Sequence, residues 1–216
     1  MPRRIVLYGA SGYTGRLVAA ELVKAQVRPV LAGPSFQNLA ALGVHLGKGL
    51  DIAVADSRHP QSLLSMVRKD DVLVTTVGPF VTLGRPAAEA AIVAGASYID
   101  CAAEAPFLRS VFDELSPHAR DAGVVMLPAF GFLHVAGSLA AELALEGLDN
   151  VDRIDVGYLV RAASRRWRSV GITASTGAAM LLSHHAYRGG ELIETPAGDV
   201  HRAFTVDGTT RFAVSI

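Results

Sequence analysis

Three glycines at positions 9, 12 and 15, directly behind the apolar run Ile5-Val-Leu7, are the residues whose type and spacing most clearly suit a chemical task. In Gly9-Ala10-Ser11-Gly12-Tyr13-Thr14-Gly15, the first glycine permits a sharp exit from a buried strand. The second lets a pyrophosphate approach the backbone, and the third lets the following helix pack closely. Phosphates would rest on the helix N-terminus, where N–H groups lacking intrahelical acceptors and the macrodipole favour negative charge. Ser11, Tyr13 and Thr14 add donors there. A second group, Asp100, Glu104 and His134, has side chains able to hold or move a proton. Asp100 and Glu104 could equally hold the following loop through backbone hydrogen bonds.

The elements needed to position these groups can be read from periodicity. A helix with Leu17, Val18, Leu22 and Ala25 on one side follows the glycine turn, and a second strand, Val27 to Ala32, ends at Gly33-Pro34-Ser35. An acid at that position would hold a ribose 2′-OH and an arginine a 2′-phosphate. This chain has neither, so NAD and NADP both remain open. Ser35 either caps the helix Phe36 to Leu42 or bonds the ribose. A third strand, Ile52 to Ala55, closes on Asp56, which either faces an adenine or caps the helix Pro60 to Val67. The fourth, Val72 to Val77, breaks at Gly78-Pro79-Phe80, which places Val77, Gly78 and Pro79 where the nicotinamide side of a dinucleotide would lie.

Leu83 to Gly95 reads as a helix stopped by glycine, Ser97 to Cys101 as a fifth strand, and Pro106 to Ala122 as a helix. A sixth strand, Val124 to Leu127, and a helix from about Ala136 to Glu146 complete the alternation. Strand and helix in regular succession predict an α/β fold, a Rossmann-type doubly wound parallel sheet over residues 1–150. From 151 to 216 the pattern changes. Arg153 to Val160 alternates as a strand, Ser175 to His185 has helical spacing, Gly189-Gly190 opens two strand-like runs, and Thr210 to Ile216 reads as a final strand. These predict a second, smaller α+β domain that reads as incomplete.

Composition narrows the function classes. The 216 residues carry 20 basic and 20 acidic side chains, a balance that argues against nucleic acid as a partner. Arg161, Arg165, Arg166 and Arg168 around Trp167 read as a solvated loop or an anionic-substrate contact. The single cysteine, Cys101, excludes an internal disulfide and a thiolate metal site, and fits a reducing, cytoplasmic location. No metal site is expected, and no export signal or membrane span either, because Gly9, Ser11 and Gly12 interrupt the first apolar run and His134, Ser138 and Glu142 the most apolar later window, Ala129 to Leu145. The mean hydropathy of +0.34 suits parallel strands buried on both faces.

Several of these segments together resemble the saccharopine dehydrogenase-like oxidoreductases, the group that includes the trans-acting enoyl reductases. The resemblance rests on Tyr8-Gly-Ala-Ser-Gly-Tyr-Thr-Gly15, Leu31-Ala-Gly33, Val77-Gly-Pro-Phe80, Gly84 to Gly95, Tyr98-Ile-Asp100 with Glu104, and Gly131-Phe132. It implies an NAD- or NADP-dependent reductase acting on a small organic or acyl substrate, with a sheet-based second domain that often mediates homodimerisation. The chain departs from the family pattern at Pro34, where arginine is common, at Ala103, where glycine is usual, and at Leu133-His134-Val135-Ala136, where Asp-Ser and a proline tend to follow Gly-Phe. These departures and the short second domain motivate an alternative, a truncated, inactive relative serving as a nucleotide sensor or scaffold.

Two other enzyme classes are disfavoured by the letters. None of the five tyrosines has a lysine four positions on, as a short-chain dehydrogenase requires. An acyl-phosphate reductase needs an activated cysteine, and Cys101 lies on a predicted buried strand, where thiols are usually inert.

Overall fold

The apolar run at the N-terminus forms β1 (Ile5–Tyr8) of a six-stranded parallel sheet ordered β3-β2-β1-β4-β5-β6. The computed structural model describes residues 3–47, 49–159, 184–188, 191–196 and 198–214. Around β1 lie β2 (Val30–Gly33) and β4 (Val72–Thr75), with Leu7 opposite both Leu31 and Val74. Outward from these run β3 (Ile52–Val54) on one side, and β5 (Ser97–Asp100) and the two-residue β6 (Met126–Leu127) on the other. The direction of chain progression therefore reverses between β1 and β4, and all strand C-termini share one edge. Open sheets of this kind bind ligands at that edge, at the reversal.

Successive side chains of a strand point to opposite faces, and the core divides accordingly. Leu7 and Leu31 pack with Ala19 of α1 (Tyr13–Lys24) and with Leu39 and Leu42 of α2 (Phe36–Leu46). Val6, Tyr8, Val30, Ala32 and Leu73 face the other way, against Leu63 of α3 (Pro60–Met66) and the alanines of α4 (Phe80–Ala94). Ala87, Ala88, Ala90 and Ala91 are all buried, so α4 lies close on the sheet, and Gly84 leaves room for the Phe107 ring. Two core faces covered by different helices are the doubly wound arrangement predicted from the alternation.

Element limits shift in physically instructive ways. The helix predicted from Leu83 begins at Phe80, with Pro79 as its N-cap, and stops at Gly95 in the left-handed conformation (φ 72°). The helix predicted as Pro106 to Ala122 is α5 (Ala105–Ser110), a π-helical turn Val111–Leu115 and α6 (Ser116–Asp121). The last helix of the alternation, α7 (Phe132–Leu145), starts one turn earlier than expected.

The chain folds into two compact units, the first from Met1–Ala102 and Phe107–Phe130, the second from Ala103–Pro106 and the residues from Gly131 on. In the second, α7 precedes two antiparallel hairpins, β7 (His184–Arg188) with β8 (Glu191–Thr195) and β9 (His201–Val206) with β10 (Thr209–Val214). Asp207 and Gly208 join β9 to β10 with positive φ at both positions (50° and 70°), as a two-residue type I′ hairpin requires.

Two expectations need correction. Residues 153–159 form no strand. Asp155 pairs with Arg153 and Arg202 instead, and a Cβ at Gly157 would lie 2.9 Å from the Phe204 ring, so side-chain packing replaces a backbone ladder. His184 and His185, predicted at the end of a helix, pair in β7 with Thr195 and Glu194. The remainder of that helix, Gly189-Gly190 and the arginines around Trp167 lie outside the described residues.

Candidate functional site

The glycine turn sits at the C-terminal edge of β1, where the strand order reverses. Gly9 adopts φ +86°, and a Cβ there would stand 2.7 Å from Thr76 Oγ1 and 2.8 Å from Val77 Cγ2. The turn is sewn onto its neighbours: Gly9 and Ala10 N–H donate to the Ala32 carbonyl of β2 at 2.9 and 3.1 Å, and Gly12 N–H donates to Gly9 O at 2.9 Å. Thr76, a residue the sequence reading passed over, donates its N–H to Tyr8 O at 2.9 Å and places Oγ1 3.3 Å from Gly9 O. The structure thus brings the 9–15 turn and the 76–79 turn side by side.

The three glycines have different jobs. A Cβ on Gly15 would lie 2.1 Å from Gly9 O and 2.8 Å from Ala10 Cα, so this position exists to let α1 abut the turn. Gly12 is exposed and extended (φ −73°, ψ 173°), and a Cβ there would meet only Gly9 O, at 3.2 Å. It caps α1 without a side-chain hydrogen bond, and the first turn of the helix contains no acidic residue. The first-turn N–H groups of a helix have no intrahelical acceptor. Open space over Gly12 and an anion-favouring helix end therefore fit a pyrophosphate.

Next along the edge, Ser35 takes the capping role: its Oγ accepts from Asn38 N–H at 3.3 Å. Asp56 stands behind β3 but does not cap α3, whose N-cap is His59. Its carboxylate instead accepts from Arg58, at 2.9 Å from the backbone N–H and 2.6 Å from Nη2. Those hydrogen bonds, chiefly the guanidinium's, lower its pKa to about 2. Behind β3, Ser57 ties the edge together, donating N–H to Tyr8 Oη at 2.7 Å and Oγ–H to Leu83 O at 2.9 Å. Burial raises the Tyr8 pKa, so this hydroxyl stays protonated. Beyond β4, Val77 N–H donates to Thr75 Oγ1 at 3.3 Å, and Gly78-Pro79 is a cis peptide.

Asp100, at the end of β5, is buried and performs the loop-holding task. Its Oδ1 accepts from Ala102 N–H and from Ala129 N–H, both at 2.8 Å, while Phe130 N–H donates to its carbonyl at 2.7 Å. Burial, reinforced by the Asp100 carboxylate, pushes the neighbouring Tyr98 hydroxyl well above the usual tyrosine range. Glu104 and His134 belong to the second unit. Glu104 is buried and accepts from Ala103 N–H at 3.3 Å, whereas His134 is exposed on α7. Cys101 is half-buried.

Removing the Asp100 carboxylate should be costly, because a buried and a part-buried N–H group lose their acceptor. Asp100→Ala is expected to destabilise the chain by about 2–4 kcal/mol in urea unfolding, and Asp100→Asn, which keeps an acceptor oxygen, by less than half of that. Equal midpoints for wild type and the alanine variant would sink the loop-holding role.

Comparison with known proteins now adds an independent observation: residues 5–127 match the family described as the saccharopine dehydrogenase NADP binding domain. The chain belongs to this family. Its cofactor class is accordingly NADP(H). Relatives include a trans-acting enoyl reductase of Mycobacterium tuberculosis, 32% identical over 184 residues (82% of this chain, 44% of that protein). Another, from Mycobacterium ulcerans, is 33% identical over 186 residues, with the same coverage. The chain spans less than half the length of these curated relatives. Among solved structures, the apo saccharopine dehydrogenase (L-Glu forming) of Saccharomyces cerevisiae shares the fold, with a TM-score of 0.56 at 18% identity over 67% of this chain and 31% of that one. Among the described residues, no helix is long and apolar enough to cross a membrane.

Proposed function

We propose that this chain is the cofactor-holding part of an NADP(H)-dependent oxidoreductase that reduces the carbon–carbon double bond of an enoyl group in an acyl substrate. The observation that carries the reading is the glycine turn at the strand-order reversal, with Gly12 open to solvent at an uncapped helix N-terminus. The enoyl specificity comes from the names of the mycobacterial relatives.

In this reading, bound NADPH supplies the hydride, and the protein's task is to bind and orient. Gly9, Ala10, Ser11, Gly12, Tyr13, Thr14 and Gly15 take the pyrophosphate. Ser35, already capping α2, lends its remaining lone pair and hydroxyl proton to the adenosine ribose, and Asp56 lies on the adenine side. Val77, Gly78 and Pro79, held against Gly9 through Thr76, form the wall on the nicotinamide side. Enoyl reduction needs one hydride and one proton; Asp100, Glu104 and His134 are the residues proposed to touch substrate or pass that proton. With Asp100 committed through Oδ1 to the loop, the exposed imidazole of His134 and the carboxyl group of Glu104 are the first to test.

Parallel titrations of the purified chain with NADPH and NADH, followed by nicotinamide fluorescence, test the reading. Saturable binding of NADPH is the expected result. No binding of either dinucleotide to a chain with a normal circular dichroism spectrum would overturn it.

A further inference from the structure

NADPH differs from NADH by a 2′-phosphate, and the corner where that group belongs, Gly33-Pro34-Ser35, contains no cation. A dianion in that position needs a charged, preferably forked, donor. The arginines of the first unit can be sorted by sheet polarity and by partner. Arg4, ahead of β1, pairs with Asp71, and Arg28 and Arg68 also precede strands, so all three lie towards the opposite edge of the sheet. Arg85 is shared between Glu89 and Glu114, Arg109 pairs with Asp113, and Arg3, ahead of β1, and Arg120, at the end of α6 and ahead of β6, also lie towards the opposite edge. Arg58 stands at the correct edge, but the Asp56 carboxylate already neutralises it, taking Nε and Nη2 together.

Arg16 differs from all of these. It is exposed in the first turn of α1, and its Nε donates to the Ser11 carbonyl at 2.8 Å, with no carboxylate partner among the described residues. That single bond folds the side chain back over the glycine turn and leaves both Nη groups for another acceptor. Ser11 is also the residue that borders β2's end: its Oγ lies 3.9 Å from where a Gly33 Cβ would be, while Ala10 N–H binds Ala32 O. An uncompensated guanidinium is therefore tethered to the residue that joins the pyrophosphate turn to the 2′-phosphate corner.

We infer that Arg16 is the specificity-determining residue that takes the 2′-phosphate of NADPH, in place of a cation at position 34. The inference rests on the cofactor reading above and adds the residue that separates NADPH from NADH. The neutral backbone tether positions the guanidinium without consuming its charge, and the two remaining nitrogens suit bidentate binding of a phosphate.

The test is fluorescence titration with NADPH and NADH of the wild-type chain, Arg16→Ala, Arg16→Lys and Arg58→Ala, each at low and high salt. Adenosine 2′,5′-bisphosphate and AMP serve as competitors. Arg16→Ala should weaken NADPH about 10- to 100-fold and NADH no more than about twofold, a loss of charge-assisted hydrogen bonds confined to one phosphate. The bisphosphate should lose affinity with NADPH while AMP does not. Arg16→Lys should recover part of the preference, since charge returns without the fork, and the wild-type preference should shrink in high salt. Arg58→Ala should leave the NADPH-to-NADH ratio within about twofold of wild type, as expected for a charge already neutralised. Equal weakening of both dinucleotides by Arg16→Ala, no weakening of either, or loss of the preference in Arg58→Ala would overturn the inference while leaving the cofactor reading intact. Wild-type binding of neither dinucleotide would overturn both.

Discussion

Replacing Gly15 by valine should cost the nucleotide unit more than about 4 kcal/mol, enough to remove most of the stability of an ordinary domain. Helix propensity alone argues the other way, since Gly15 lies in α1 and glycine is the weakest ordinary helix former. Packing overrides propensity here. The added Cβ would come within 2.1 Å of Gly9 O and 2.8 Å of both Gly9 C and Ala10 Cα. All three are backbone atoms of a turn already fixed by hydrogen bonds to Ala32, so none can swing aside as a side chain would. Relief requires lifting α1 away from the Leu7–Leu31 core face, which exposes buried apolar surface. A urea midpoint equal to that of the wild type would sink this account.

Gly12→Leu should have the opposite profile, a folded protein that no longer binds NADPH. The backbone at Gly12 has dihedrals open to any residue, and the only atom near its missing Cβ is Gly9 O at 3.2 Å. Leucine is a poor N-cap, so a stability loss of about 1 kcal/mol is expected. The leucine side chain would fill the space above the first-turn N–H groups. Affinity for NADPH should fall at least about 100-fold, the size expected when several charge-assisted hydrogen bonds cannot form. Retained affinity in a correctly folded variant would show that the pyrophosphate lies elsewhere. The two substitutions together separate the structural glycine from the ligand-facing one within a single motif.

Much of the first unit was legible because local signals and global fold agree. Parallel strands buried on both faces leave continuous apolar runs such as Ile5–Tyr8, and the Gly95 stop of α4 is where the helix ends in the left-handed conformation. The second unit was less legible. Strand-like alternation at 153–159 was overridden by ion pairing of Asp155 and packing of the Phe204 ring on Gly157, while the Asp207-Gly208 dipeptide carried a hairpin signal that letters alone could have yielded.

Legibility within the site depended on the sequence distance over which each side chain finds its partners. Ser35 and Asp56 bond within three residues of themselves, and even there the letters left the choice between cap and ligand open. Asp100 holds Ala129 N–H, a partner 29 positions away that no local pattern announces. Arg16 was in plain view behind Gly15, yet nothing local marks it, because what sets it apart is a bond to the Ser11 carbonyl with no carboxylate partner among the described residues.

By itself the sequence determined the strand-helix alternation and the glycine turn, since these follow from side-chain periodicity and from backbone freedoms that a residue type alone confers, and its motifs carried the resemblance to the family. Only the tertiary structure set the distances behind the different roles read for the glycines, 2.1 Å from a Gly15 Cβ to Gly9 O against 3.2 Å from a Gly12 Cβ to the same atom. It alone set Asp100 to holding a loop, paired Arg58 with Asp56, and left Arg16 with no carboxylate partner among the described residues. Those outcomes depend on distances between atoms of different strands and turns, and hydrogen-bond and Coulomb energies act through such distances rather than along the chain.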